Sequence, residues 1–95
     1  MKRTALILVD AQNAFCAKKG SFWKRGLSIL NLNNTLRTMK SLLSFARKRK
    51  WLVIFTKLAY KQDYSDAGLL LKRNPKIAEL GGYIENSWDS EITRH

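Results

Sequence analysis

The sequence has little of what builds special chemistry on its own. There is one cysteine, Cys16, which excludes an internal disulfide and any zinc-ligand spacing. The one histidine is the terminal His95, so a local His–Cys dyad or a histidine metal cluster is not expected, nor is a metal site. Long apolar runs are missing as well. The longest, Ala5 to Val9 and Trp51 to Phe55, fall far short of the ~20 residues that span a bilayer. The start, Met1-Lys2-Arg3-Thr4, places basic residues before an apolar stretch as a signal peptide does. Asp10 ends that stretch, and no small-residue cleavage site follows. The expectation is a buried strand in a cytoplasmic protein that does not enter a membrane.

Acidic residues are scarce too: 7 against 18 Lys and Arg, for a net charge of +11 in 95 residues. Such charge invites a nucleic-acid reading, because cations that neutralise phosphates release counterions. The charge is nevertheless scattered, and only Arg47-Lys48-Arg49-Lys50 is dense. That run falls where a helix should end, and cations there complement the helix dipole. No RNA-recognition, zinc-finger or Gly-rich phosphate motif accompanies it, so nucleic acid is not the expected partner.

What is present reads as one small α/β domain. Residues 4–10 form a strand that is apolar on both faces, as in a parallel sheet covered on each side. Residues 11–27 read as a loop, with turn chemistry at Lys18-Lys19-Gly20-Ser21 and a second break at Gly26. Residues 29–49 read as a helix capped by Ser28 or Asn31, because Leu32, Leu36, Met39, Leu43 and Ala46 recur at steps of four and three. Leu42 and Phe45 widen that stripe toward a sheet. Trp51 to Thr56 is a second two-sided strand, which completes a βαβ unit. Residues 57–74 are polar and irregular. Asn74-Pro75 opens a short helix that runs through Leu80 to a stop at Gly81-Gly82. Two parallel strands leave open edges and uncovered faces, so this fold calls for more chain than the sequence supplies.

Asp10 is the leading candidate for chemistry. A carboxylate where a central strand ends is partly desolvated and sits where open α/β sheets keep their sites, which suits it to proton transfer. The plainer alternative is that it caps the following turn.

Ordered motifs carry a family resemblance along most of the chain. Asp10-Ala11-Gln12-Asn13-Ala14-Phe15 is followed by the Gly20-Ser21 turn, the crossover helix and the strand Val53-Ile54-Phe55-Thr56. Then come Ala59-Tyr60 through Tyr64-Ser65-Asp66-Ala67-Gly68-Leu69 and, last, Asn86-Ser87-Trp88-Asp89-Ser90-Glu91-Ile92. This series resembles the front half of the isochorismatase-like cysteine hydrolases, and most closely their members acting on carbamoyl or ureido compounds. The resemblance implies a three-layer α/β/α parallel-sheet fold, truncated here to its front βαβ portion, with residues 1–95 a single partial domain.

It also implies a Cys–Asp–Lys triad that hydrolyses a C–N bond of a small amide substrate without a cofactor. Asp10 matches the Asp, whereas the Lys and Cys fall after residue 95, so the chain alone should be inactive. Cys16 reads as packing, and Lys57, at the end of the second strand, as a surface or ion-pair lysine. Phe15, Tyr60 and Trp88 are the candidate substrate-binding residues, although packing is the commoner fate of aromatics. Gln12 and Asn13 should fix the loop. Residues 57–63 hold no histidine, so the metal-binding nicotinamidase subtype does not fit. The partners left open are a complementing chain and a second copy. The alternatives are a small basic nucleic-acid-binding module or a regulatory partner of an intact hydrolase.

Overall fold

The computed structural model describes residues 3–94; Met1 and Lys2 of the basic start, and the terminal His95, lie outside the described residues. Strand β1 (Ala5–Val9) is followed by two single-turn helices, α1 (Asn13–Cys16) and α2 (Ser21–Lys24). The long helix α3 (Leu32–Lys48) leads to β2 (Leu52–Thr56), and two short helices, α4 (Leu69–Arg73) and α5 (Lys76–Glu79), complete the order. The strands pair in parallel, from Ala5 opposite Leu52 to Val9 opposite Thr56. The βαβ unit expected from two apolar runs and one helical stripe is therefore present.

Helix α3 covers one face of this sheet. Leu43 and Ala46 are buried, and Met39 packs with Leu6, Val53 and Phe55 around Leu8, Ala11 and Leu43. Truncating a buried leucine such as Leu43 removes about 2–5 kcal/mol. Arg47 and Lys48 occupy the last turn, where their charge complements the helix dipole. The helix begins at Leu32, the first residue of its apolar stripe, three residues after the expected start at 29. Asn31 holds the N-cap position in a left-handed conformation (φ 57°), without a side-chain capping bond. Leu42 and Phe45 do not widen the buried stripe; both are nearly half exposed. Phe45 instead lies between the Arg49 guanidinium, 4.7 Å from its centroid, and an edge-on Trp51.

The opposite face of the sheet is bare. Ile7 is 54% exposed, Val9 68%, Leu52 63% and Ile54 37%. The two-sided apolar strands thus carry the composition of a sheet covered on both faces, while the described residues cover only one.

A second cluster forms away from the sheet. Ala14, Ile77 and Tyr83 are buried there, with Phe15, Leu58, Tyr60, Tyr64, Leu70 and Leu71 packed against them. With two small cores instead of one, the molecule is elongated, 47 × 27 × 20 Å. Its radius of gyration of 15.1 Å exceeds the ~12 Å of a compact domain of this length.

Three local expectations shift. The stretch 11–27 contains α1 and α2, and the stretch 57–74 contains α4. Asn74 closes α4, its side-chain amide donating back to the Leu70 carbonyl, and Pro75 takes the N-cap position of α5. Gly81 turns the chain at φ 64°, where the stop was expected.

Candidate active site

Asp10 follows the last residue of β1 and leaves the strand abruptly, with φ 55°. A left-handed backbone at a non-glycine residue is sparsely populated, although Asp tolerates it better than most. Cross-strand bonds hold it there. Its N–H donates to the Thr56 carbonyl at 3.1 Å and lies 3.3 Å from the Thr56 hydroxyl. The half-buried Asp10 thus sits at the carboxyl end of a parallel sheet, the side on which open α/β sheets bind ligands. Lys57 occupies the next position of the neighbouring strand's register, beyond the Val9–Thr56 pair, and is exposed.

The loop behind Asp10 is fixed by amides. The Gln12 side chain is fully buried. Its Nε2 donates to the carbonyls of Leu58 (2.7 Å) and Ser90 (2.9 Å), and its Oε1 accepts the Leu58 N–H at 2.8 Å. One side chain therefore ties the exits of both strands to the end of the chain. Asn13 adds a bond from Nδ2 to the Trp88 carbonyl at 2.8 Å. The Asn13 and Ala14 N–H groups donate to the carbonyls of Glu91 and Asp89. A bridge from Gln12 to Ile92 aligns the last segment antiparallel to this loop.

Opposite these amides stands a carboxylate that carries structure. Asp89 accepts the Ser21 N–H (2.8 Å), the Ser21 hydroxyl (2.7 Å) and the Tyr83 N–H (2.9 Å). Gly20, next to Ser21, is required by close approach. A Cβ there would run into the carbonyl oxygens of Asn13 and Ala14. The Gly-Ser turn and the Ser-Trp-Asp segment, distant in sequence, are one hydrogen-bonded unit in space.

The order of these motifs and their assembly around one strand end match a known domain. The isochorismatase domain model matches residues 4–93. The chain belongs to the isochorismatase family. Among curated proteins it is similar to the ureidoacrylate amidohydrolase RutB of Agrobacterium fabrum (strain C58), with 30% identity over 101 residues. That match covers 94% of this chain and 44% of RutB, so the chain spans a little under half the length of this relative. No solved structure matches the chain.

Within this isochorismatase domain the three candidate aromatics divide. Phe15 stacks on Tyr83 with centroids 5.3 Å apart, and Tyr60 meets the same ring edge-on at 6.3 Å. Both are partly buried and belong to the second core. Trp88 is 49% exposed, and its carbonyl is held by Asn13. Tyr83, which was not a candidate from sequence, is the hub. It is 2% exposed, sits at φ 60°, and its hydroxyl accepts a bond from Arg25 Nη2 at 2.9 Å. Burial raises the Tyr83 phenol above its ordinary pKa, against the opposing pull of Arg25.

Cys16 closes α1, partly buried, and burial pushes its thiol upward, which disfavours the thiolate a nucleophile needs. Among the described residues, no group of three His, Cys, Asp or Glu side chains is placed to hold a metal, and no helix is long and apolar enough to cross a membrane.

Proposed function

We propose that this chain is the N-terminal part of an isochorismatase-family hydrolase that cleaves a C–N bond in a small amide, carbamoyl or ureido compound. Asp10 is its base. The observation that carries this reading is a carboxylate held in a left-handed turn at the carboxyl end of a parallel strand, inside a matched family domain. The amidohydrolase relative supports the substrate class.

In this mechanism Asp10 takes the proton of a cysteine thiol, and the thiolate sulfur bonds to the substrate carbonyl carbon. The C–N bond then breaks as the leaving nitrogen gains a proton, and water releases the acyl group from sulfur. In this reading the cysteine and the lysine that balances the charge belong to chain beyond these residues; Cys16 is a poor substitute, since burial raises its thiol and disfavours the thiolate. In this reading Trp88, half exposed, is the aromatic open to substrate, while Phe15 and Tyr60 support it from the second core, where both pack on Tyr83. Residues 1–95 by themselves supply only the base of this mechanism, so these residues alone are expected to be inactive.

A chimaera joining this chain to the unmatched C-terminal remainder of RutB tests the reading, with ureidoacrylate as substrate and ammonia release as readout. Turnover is expected from the chimaera, none from the chain alone, and none from the Asp10→Asn chimaera. Turnover by the chain alone, turnover that survives Asp10→Asn, or a folded but inert chimaera each count against it.

A further inference from the structure

A cavity of about 60 Å³ lies between α3 and the sheet, on the covered side, near the end of β1 that leads into Asp10. Leu8, Ala11, Leu36, Met39, Leu43 and Phe55 form its apolar lining, and Thr93, Lys40 and Arg94 complete its boundary. The volume is that of about two water-sized groups. An apolar lining does not hold ordered water well, because a buried water needs two to four polar partners. No acidic residue lines the cavity, and the whole chain carries +11. An occupant therefore gains from an apolar tail inside and from negative charge facing Lys40 and Arg94.

We propose that this cavity binds a short-chain aliphatic carboxylate, its tail among Leu36, Met39 and Leu43 and its carboxylate at Lys40 and Arg94. The small volume limits the tail to roughly two or three carbons. Charge complementarity selects an anion over a neutral or cationic molecule of the same shape. The site is separate from the C–N cleavage reading, since neither Asp10 nor the Phe15–Tyr83 cluster lines it.

The test titrates the full chain with butyrate, butylammonium and butanol, followed by methyl and amide NMR shifts. Butyrate is expected to move the Leu36, Leu43, Met39 and Ala11 signals with saturation in the millimolar range, and butylammonium should leave them in place. Lys40→Glu, an exposed change that replaces one attraction with one repulsion, should weaken butyrate about tenfold. Leu36→Phe, which fills the cavity from its rim, should abolish the shifts; if that variant loses its dispersed spectrum, Lys40→Glu decides. Equal responses to butyrate and butylammonium, shifts centred on Ile7, Val9, Leu52 and Ile54 of the bare sheet face, or butyrate affinity unchanged by Lys40→Glu would each overturn the proposal.

Discussion

Asp89 holds Ser21 by both of the serine's donors, the backbone N–H on Oδ1 at 2.8 Å and the hydroxyl on Oδ2 at 2.7 Å. The same Oδ2 takes the Tyr83 N–H, so one carboxylate positions the start of α2 and the hub of the aromatic core. Removing it leaves two backbone donors without their acceptor. Asp89→Ala should cost about 2–4 kcal/mol, given about 1.5–3 kcal/mol for a hydrogen bond to a charged group. Asp89→Asn keeps one acceptor oxygen and should lose less. Urea midpoints of the two variants against the parent check both the size and the order.

Gly20 makes the same junction possible by having no side chain. A methyl group there meets two backbone carbonyls, which cannot move aside as a flexible side chain would. Gly20→Ala should destabilise by about 1–3 kcal/mol, the range for overpacking, and alanine is also a poorer N-cap than glycine at the head of α2. An unchanged urea midpoint would show that the Asn13 and Ala14 carbonyls yield more readily than their bonding suggests.

These junctions mark what the sequence conceals. The βαβ core was legible because its signals are long: two five-residue apolar strands and a stripe from Leu32 to Ala46. The place of Asp10 at the end of β1 was legible because a carboxylate interrupts an apolar run. Helices α1 and α2 were not, since four residues carry no period and both are held from outside, through Asp89 and Glu91. Ser21 and Asp89 lie 68 positions apart, and neither side chain advertises the other. The apolar pattern of β1 and β2 says that both faces suit burial, but it does not say what covers them. Leu42 and Phe45 extended the α3 stripe on paper; five-residue strands in a two-stranded sheet offer too little width to receive them.

Alkaline pH should weaken the fold through groups that burial keeps protonated. The Cys16 thiol and the Tyr83, Tyr64 and Tyr60 phenols all have raised pKa values in the folded chain, each mainly from desolvation. For a group whose folded pKa is raised, the unfolded chain gives up its proton first, so stability falls as pH climbs. The contribution is complete below pH 9.0 for Cys16 and 10.0 for the tyrosines, their ordinary values, and declines through the higher folded values. Urea midpoints should therefore drop from about pH 9 upward, and Cys16→Ala should remove the earlier part of that drop. Native Cys16 should also react with iodoacetamide at pH 7.5 more slowly than in urea-unfolded chain, since burial disfavours the thiolate, the reactive form. A fast native reaction would return Cys16 to the list of nucleophiles.

Asp10 gives a prediction in which stability and activity move apart. Its backbone is left-handed, a conformation that glycine adopts without steric cost and aspartate does not. The bonds that hold it come from its own N–H to Thr56, and a glycine keeps them. Asp10→Gly should then leave the urea midpoint of the 95-residue chain unchanged or raise stability by up to about 1 kcal/mol, the lower end of the strain range. In the RutB chimaera the same change removes the base, and turnover should fall by about 10²–10⁴-fold, the usual contribution of general base catalysis. A carboxylate whose removal costs activity but not folding is what a functional residue predicts and a turn cap does not. If Asp10→Gly instead lowers the midpoint by a kilocalorie or more, the carboxylate is holding the turn, and the base must be sought elsewhere.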